Sequence, residues 1–382
     1  MTASEPSNNR SDQQTTQAQH TPQHADTLIV GAGLAGLALA RELAAHEQSG
    51  AGQGVLLLDK SRGVSGRSST RRSIHRSGTH WSNEALLDHG ARFFTARAGR
   101  TRTWVQGALE EGWLAEWTRS VPVWEAGQVS GEPGRGHPRY VPPGGMNVIG
   151  RELGRDLSVL TQTQAVSVRR QGDVWQVGAQ DGRVFTARRL VLNLPPPQIV
   201  PLLEGAGLAE SEVAESEEAG AGSRLDLEAL RAVQFDPCWA VGAVLNADLS
   251  GAEWPALRLN NHPSLDWLAR EHTKRPPGQT PTLMLHARAD WSRGHLQDTP
   301  AEVTAALLEA AREVAGPFTV ESSFAHRWLY ATPTVRYEHS FGWHSELALG
   351  WCGDWCVPDP HGPRVEAALL SGWELADRLL EG

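Results

Sequence analysis

The sequence predicts an α/β fold in which a parallel nucleotide-binding sheet carries an inserted domain built on a mostly antiparallel sheet. Three observations predict it. A short apolar run, Thr27-Leu28-Ile29-Val30, leads directly into Gly31-Ala32-Gly33-Leu34-Ala35-Gly36 and an alanine-rich helix. A second apolar run, Val55 to Leu58, closes on Asp59, which completes a βαβ unit. Further on, Val159 to Leu192 alternates apolar and polar residues like a β meander. A chain of 382 residues exceeds one ordinary core and suits two interleaved domains.

Taken in order, Met1 to Ala25 is polar, lacks an apolar run, and reads as a disordered tail. Leu37 to Ala45 reads as the first helix, broken by the Gly-rich stretch Ser49 to Gly54. Arg62 to Gly78 is dense in Arg, Ser and Gly, a composition that usually orders around an anion or a partner chain. Asp88 to Phe94 reads as a short strand or turn, and Trp104 to Trp117 has helical spacing. In the meander, strands fall at Ala165–Val168, Val174–Val177 and Val184–Phe185, with Asp181-Gly182 as a hairpin turn. Leu190 to Leu194 is an apolar strand ended by three prolines. Glu204 to Glu228 is an acidic solvated loop or loosely ordered helix. Strands follow at Phe235–Leu245, Thr282–Ala287 and Leu347–Cys352, with helices at Ala301–Val314 and Val365–Leu380.

Composition narrows the function. The formal net charge of −9 argues against a general nucleic-acid partner. No segment is apolar and long enough to span a membrane, and no signal peptide is evident, so a cytoplasmic location is expected. Basic residues are almost all Arg, the only lysines being Lys60 and Lys274. That bias suits an anionic cofactor, and compositional drift explains it equally well. Three cysteines, Cys238, Cys352 and Cys356, make no disulfide scaffold and no metal set, and read as small buried hydrophobes.

The glycine motif carries the chemistry. Gly31 permits the tight strand-to-helix turn, Gly33 lets the backbone approach a pyrophosphate, and Gly36 lets the helix pack on the strand. The pyrophosphate would sit on the helix N-terminus, where free N–H groups and the dipole favour an anion. Asp59, about 20 residues past the last glycine, can accept ribose hydroxyls, and an acid there favours FAD or NAD over NADP. The run Asp59-Lys60-Ser61-Arg62-Gly63-Val64-Ser65-Gly66-Arg67 points to FAD. In FAD proteins of the glutathione-reductase type an acid is followed by G-x-G-G-R; here Ser65 replaces the first of the paired glycines. Arg67 can fork onto the diphosphate or lie on the surface.

Jointly with this run, several segments resemble the renalase family, within the broader amine-oxidase-like flavoproteins. They are Asp88 to Thr95, Gly144-Gly145-Met146-Asn147, Pro196-Pro197-Gln198, Pro237 to Ala240, Trp291-Ser292, His326 to Ala331, Gly353 to Cys356 and Arg364 to Gly372. Two departures are the acidic insert between Gln198 and Pro237 and the lengthened loop Asp359 to Pro363. The resemblance implies non-covalent FAD held at Gly31, Gly33, Leu34, Ala35, Gly36, Asp59, Lys60, Arg67, Gly90, Ala91, Val166, Gly353, Asp354, Arg364, Val365 and Glu366. Gly90-Ala91 offers a flat backbone for a ring. The helix opened by Arg364 places a second N-terminus where N–H groups can stabilise charge on the reduced ring. Asp354 binds a ribityl hydroxyl or caps a turn.

Fifteen tryptophans give many planar surfaces, and the resemblance puts Trp291, Trp328 and Trp343 near the substrate side. Phe93, Trp291, His326 and Trp328 are the substrate-lining candidates, each with plain core packing as the alternative. Lys274 meets a substrate phosphate or lies on a loop. The implied domains are an FAD domain over 26–95, 140–200 and 325–382, of Rossmann-like glutathione-reductase/amine-oxidase type, and a substrate domain over 96–139 and 201–324. The implied reaction takes a hydride from 2- or 6-dihydro isomers of NAD(P) to FAD, with dioxygen as acceptor and hydrogen peroxide as product. No proton leaves carbon, so no catalytic side chain is assigned. The rivals are an amine oxidase acting on a small amine, a porphyrinogen-type oxidase, and a catalytically silent flavin- or NAD-binding module.

Overall fold

The computed structural model describes residues 23–47, 54–77, 80–131, 134, 136–208, 225, 227–356 and 365–381. The first strand, β1 (Gln23–Val30), is followed by helix α1 (Leu34–Glu47) and strand β2 (Val55–Leu58). β1 begins inside the segment expected as a tail. Gln23, His24 and Ala25 pair with Phe185 to Ala187, and Ala25 is buried, so strand pairing orders them. The rest of that tail lies outside the described residues, as does most of the acidic insert.

β1 lies between β2 and the strand Val184–Leu192, parallel to both. Ser158–Leu160 extends the parallel sheet beyond β2, and Leu349–Trp351 pairs parallel to Leu190–Leu192. The hairpin Ala165–Gln171 and Val174–Ala179 joins antiparallel. The runs expected as separate strands at 184–185 and 190–194 are thus one strand, long enough to pair with β1 along its length. The closing helix Val365–Leu380 packs on α1 so closely that a Cβ on Gly372 would sit 2.1 Å from the Ala35 carbonyl oxygen. Only glycine allows this approach, which brings the first turns of two helices to one end of the sheet.

The second sheet runs in the order Val320–Val335, Gln234–Leu245, Thr282–Ala287, Leu265–Arg270, Ala256–Leu259, Val123–Glu125, Gln128–Ser130. Its pairs are antiparallel except Ala256–Leu259 with Val123–Glu125. Helix Pro300–Ala315, started by a Thr299–Glu302 capping box, covers one face. Val320–Val335 runs through the boundary expected at 324/325 and keeps residues 325–335 in the second sheet. Helix Gly99–Glu110, expected with the substrate domain, packs Val105 and Ala108 into the core of the first unit. Among the described residues no helix is long and apolar enough to cross a membrane.

Strands β3 (Thr70–Ser77) and β4 (His80–Asp88) form a ribbon that the Arg- and Ser-rich composition did not reveal. β4 reaches the second sheet, where Leu87 packs with Ala240, Val244 and Met284. Asp88, at its end, is fully buried among charges. Its carboxylate accepts from the Thr70 hydroxyl at 2.7 Å, Met146 N–H at 2.9 Å, Arg275 Nη2 at 2.7 Å and Lys274 Nζ at 3.3 Å. Glu271 completes the cluster, 2.6 Å from Lys274 Nζ, and its Oε2 accepts from the Asp88 N–H at 3.1 Å. Lys274 is therefore a buried internal counter-ion and not a loop or substrate contact.

Burial alone would push the Asp88 carboxyl up; Lys274 and Arg275, with the Met146 and Thr70 hydrogen bonds, outweigh it and hold it at about 2. Since that lies below the unfolded value, the ionised form favours folding above about pH 4, and the contribution is lost as pH falls towards 2. Removing the charge leaves two buried cations undercompensated. Asp88→Asn is expected to destabilise the protein by ~3 kcal/mol or more at pH 7. In denaturant titrations the gap to wild type narrows below pH 4, whereas a gap independent of pH would refute this account.

Candidate active site

The glycine loop is shaped by contacts at the end of the parallel sheet. Gly31 has φ +104°, and a Cβ there would lie 2.3 Å from the Asn193 carbonyl oxygen. A Cβ on Gly33 would meet Asn193 Oδ1 at 2.8 Å, and one on Gly36 would meet the Gly31 carbonyl at 2.6 Å. Asn193, which sequence reasoning missed, thus braces all three glycines. Its Nδ2 donates to the Cys352 carbonyl at 2.9 Å, while its Oδ1 is buried without a hydrogen bond. Leu34 and Ala35 form the first turn of α1, where N–H groups lack intrahelical acceptors.

Asp59 accepts from Ala32 N–H at 2.8 Å and Ser61 N–H at 2.7 Å, which leaves its outer lone pairs for a ribose. Lys60 lines an open groove with Gln162, Gln164 and Gln180. Val166, two residues beyond Gln164, is 49% exposed at a bulge. A free N-terminal turn, an acid and an exposed apolar side chain in this order fit the pyrophosphate, ribose and adenine of FAD.

Arg67 and Asp354 meet at 2.5 Å, and Arg67 also donates to the carbonyls of Tyr330 and Ala331 at 3.3 Å. The arginine therefore ties the glycine-rich unit to the second sheet. Gly90 lies against it: a Cβ there would be 1.8 Å from the Arg67 carbonyl, which accepts from Ala91 N–H at 2.9 Å. Gly353 donates its N–H to Ser371 Oγ at 3.0 Å. Val365 and Glu366 open the closing helix. The Glu366 carboxylate, however, accepts through Oε1 from Arg97 and Ala98 N–H at 2.7 and 2.8 Å, so it braces that turn. Arg364 lies outside the described residues.

The second sheet presents its other face to this unit. Pairing places His326 opposite Ala240, Ala240 opposite His286, His286 opposite Trp267, and Trp267 opposite Arg258. These residues form one row across five strands. At its near end His89, from the loop after β4, stacks on Trp328 at 5.5 Å and meets His326 at 4.9 Å, while Trp328 Nε1 donates to the His89 carbonyl at 2.7 Å. Phe93 leans on Trp267 and Trp117 at 5.7 and 6.2 Å. His326, Trp328 and Phe93 are thus together on the inner face.

Trp291 is not. It stacks on His295 at 3.8 Å and packs into the core under helix Pro300–Ala315, on the opposite face of the sheet. Trp343 packs into the core of the first unit.

The imidazoles of this face stay neutral. Burial, then the neighbouring His326, lowers His89 to about 4. Burial and Arg71 lower His326, and burial with Arg92 and Lys274 lowers His286 well below its usual value. Burial pushes the Cys238 thiol up to about 11, too high for a nucleophile at neutral pH. Among the described residues no cluster of His, Cys, Asp or Glu could hold a metal ion.

Comparison with known families accords with this geometry. Residues 29–107 match an NAD(P)-binding Rossmann-like domain, and residues 107–380 match the flavin containing amine oxidoreductase family. The chain belongs to the flavin-containing amine oxidoreductase family. As a member it is an FAD-dependent oxidoreductase.

Similar solved structures include a provisionally named protoporphyrinogen oxidase from Exiguobacterium sp. 255-15, with TM-score 0.66 and 11% identity over 95% of this chain and 100% of that one. Wild-type putrescine oxidase bound to putrescine gives 0.63 and 12% over 95% and 100%. Cyclohexylamine oxidase from Brevibacterium oxydans IH-35A gives 0.66 and 12% over 94% and 99%. At such identities the likeness shows the fold alone.

Ser65, the departure from the paired-glycine pattern, keeps a glycine's backbone in this flavoprotein. Its φ is +98°, its N–H donates to the Ala32 carbonyl at 2.8 Å, and its buried hydroxyl has no hydrogen bond. Gly150 leaves room for the side chain, since a Cβ there would lie 2.5 Å from Ser65 Oγ. Ser65→Gly removes both the strain and the unpaired hydroxyl. It is expected to stabilise the flavin-free protein by ~1 kcal/mol, or ~1–2 °C in thermal unfolding of a chain this long. A lowered melting temperature would show that the hydroxyl is needed.

Proposed function

We propose that this flavoenzyme is renalase-like and oxidises 2- or 6-dihydro isomers of NAD(P). Each turnover converts dihydroNAD(P), dioxygen and one proton to NAD(P)+ and hydrogen peroxide. The observation that carries the reading is the character of the inner sheet face: neutral, planar side chains bordered by cations. His89, His326 and Trp328 offer flat surfaces to a dihydropyridine ring. Arg71, over the Phe324 ring at 4.4 Å, Arg139 and Arg258 supply positive charge that suits phosphates. The nearby carboxylate Asp266 is engaged by Arg92 at 2.8 Å, and Asp88 and Glu271 are buried against Lys274 and Arg275. A cationic amine meets no unpaired carboxylate on this face among the described residues.

Bound FAD supplies the two-electron acceptor. Loss of a hydride from the dihydropyridine gives the aromatic ring directly, so the protein removes no proton from carbon. The neutral imidazoles match that demand, because a His89 of pKa about 4 neither gives a proton at neutral pH nor repels the developing positive ring. The work of the chain is to stack, orient and exclude water. Arg67, Asp354, Gly90, Ala91, Gly353 and the first turn at Val365 hold the cofactor in this reading, with the glycine loop and Asp59 at its other end.

The second reading, a flavin amine oxidase acting on a small amine, draws support from the family match and the fold likeness. Anaerobic mixing of the holoenzyme with 2- and 6-dihydroNAD(P), ordinary NADH and a panel of amines separates the two. The expected outcome is fast flavin bleaching by an isomer alone, with NAD(P)+ formed and peroxide released on readmitting air. Bleaching by amines alone would move the enzyme to the second reading.

A further inference from the structure

We propose that Arg139 and Arg258 form an anion subsite that holds a phosphate of the substrate at the far end of the inner sheet face. The proposal rests on the reading above for the identity of that substrate, but the subsite itself stands on geometry. Arg258 faces Trp267 across a strand pair, and four strand spacings separate it from His326 in the same row. That distance is about 19 Å, enough for a planar ring, its ribose and an extended pyrophosphate. Arg139 reaches the same end from the strand Arg139–Val141. Its guanidinium lies over the Phe93 ring at 5.3 Å, and Phe93 in turn contacts Trp267.

The two guanidiniums are near enough to repel. Arg139 sits below the usual arginine value, first through burial and then through Arg258. Its Nη1 donates to the Arg119 carbonyl at 2.7 Å and the His137 carbonyl at 3.5 Å, while its buried Nε has no hydrogen bond. Neither arginine makes an ion pair with a carboxylate among the described residues. Two like charges beside an orphaned donor are unfavourable alone and favourable around an anion. The arginine fork matches phosphate oxygens in pairs. Arg92, between this end and the histidines, has its charge met by Asp266. Arg71 adds one cation at the histidine end, over the Phe324 ring at 4.4 Å, whereas Arg139 and Arg258 place two at the far end, where the phosphates of a dinucleotide would reach.

Calorimetric titration of ADP-ribose and of inorganic pyrophosphate into oxidised holoenzyme at low salt tests this. Arg258 is exposed, so Arg258→Gln and Arg258→Lys leave the core untouched. ADP-ribose affinity is expected to fall about tenfold in Arg258→Gln and to return only in part in Arg258→Lys, which restores the charge but not the fork. Flavin reduction by a phosphate-free dihydronicotinamide riboside is expected to be unchanged in both. Equal ADP-ribose affinity in wild type and Arg258→Gln, or no binding of either probe to wild type, would overturn the subsite. If affinity falls as expected while no dihydronicotinamide reduces the flavin, the subsite stands and the substrate reading fails.

Discussion

Asp88 is held, fully buried, between Lys274 and Arg275, and most of the site geometry follows from where that places the end of β4. A buried carboxylate between two cations tolerates little displacement, because any slip exposes an uncompensated charge to a medium that solvates it poorly. The chain therefore leaves β4 in one direction, and His89 and Gly90 are delivered against Trp328 and Arg67. Thr70 and Met146 bind the same carboxylate, so the ribbon, the 142–147 loop and the second sheet share one anchor. Arg67 supplies the second tie, reaching Asp354 and the carbonyls of Tyr330 and Ala331. Two sheets drawn from interleaved stretches of the chain thereby face one cleft.

The two walls of that cleft differ in kind. The first is backbone: a glycine loop braced by Asn193, the first turn of α1, and the closing helix drawn close by Gly372. Such a wall suits a long anionic cofactor that needs N–H donors and close approach. The second is side chain: a row of imidazole, indole and guanidinium groups set by strand pairing. A face of this kind selects by shape and charge and leaves the electron chemistry to the flavin.

Much of the first wall was legible in the sequence, because its signals are local. The strand Thr27–Val30, the three glycines, Val55–Leu58 and Asp59 are nearly contiguous, and the helix Val365–Leu380 reads from its own periodicity. The second wall was not. His326, His286, Trp267 and Arg258 align only through pairing between distant strands, and bulges at 236/238 and 265/267 shift the alternation that would have to be counted. Trp291 illustrates the failure, since it faces the helix-covered core and not the cleft. The β3–β4 ribbon was hidden by its polar composition, and Asn193 by its place beside a proline run. Glu366 was rightly placed at a helix start, yet its carboxylate caps the Arg97–Ala98 turn, a contact no local pattern announces.

We propose that the uncompensated arginines of this face draw an anionic, planar reductant towards the flavin. The most direct measurement is the second-order rate constant of anaerobic flavin reduction as a function of ionic strength, for a dihydroNAD(P) isomer and for a primary amine. Steering by uncompensated arginines predicts a rate constant for the dinucleotide that falls steeply as salt rises and the Debye length shrinks from ~30 to ~3 Å, with no reduction by the amine. A rate constant that is flat or rises with salt, or reduction by the amine alone, would contradict the account.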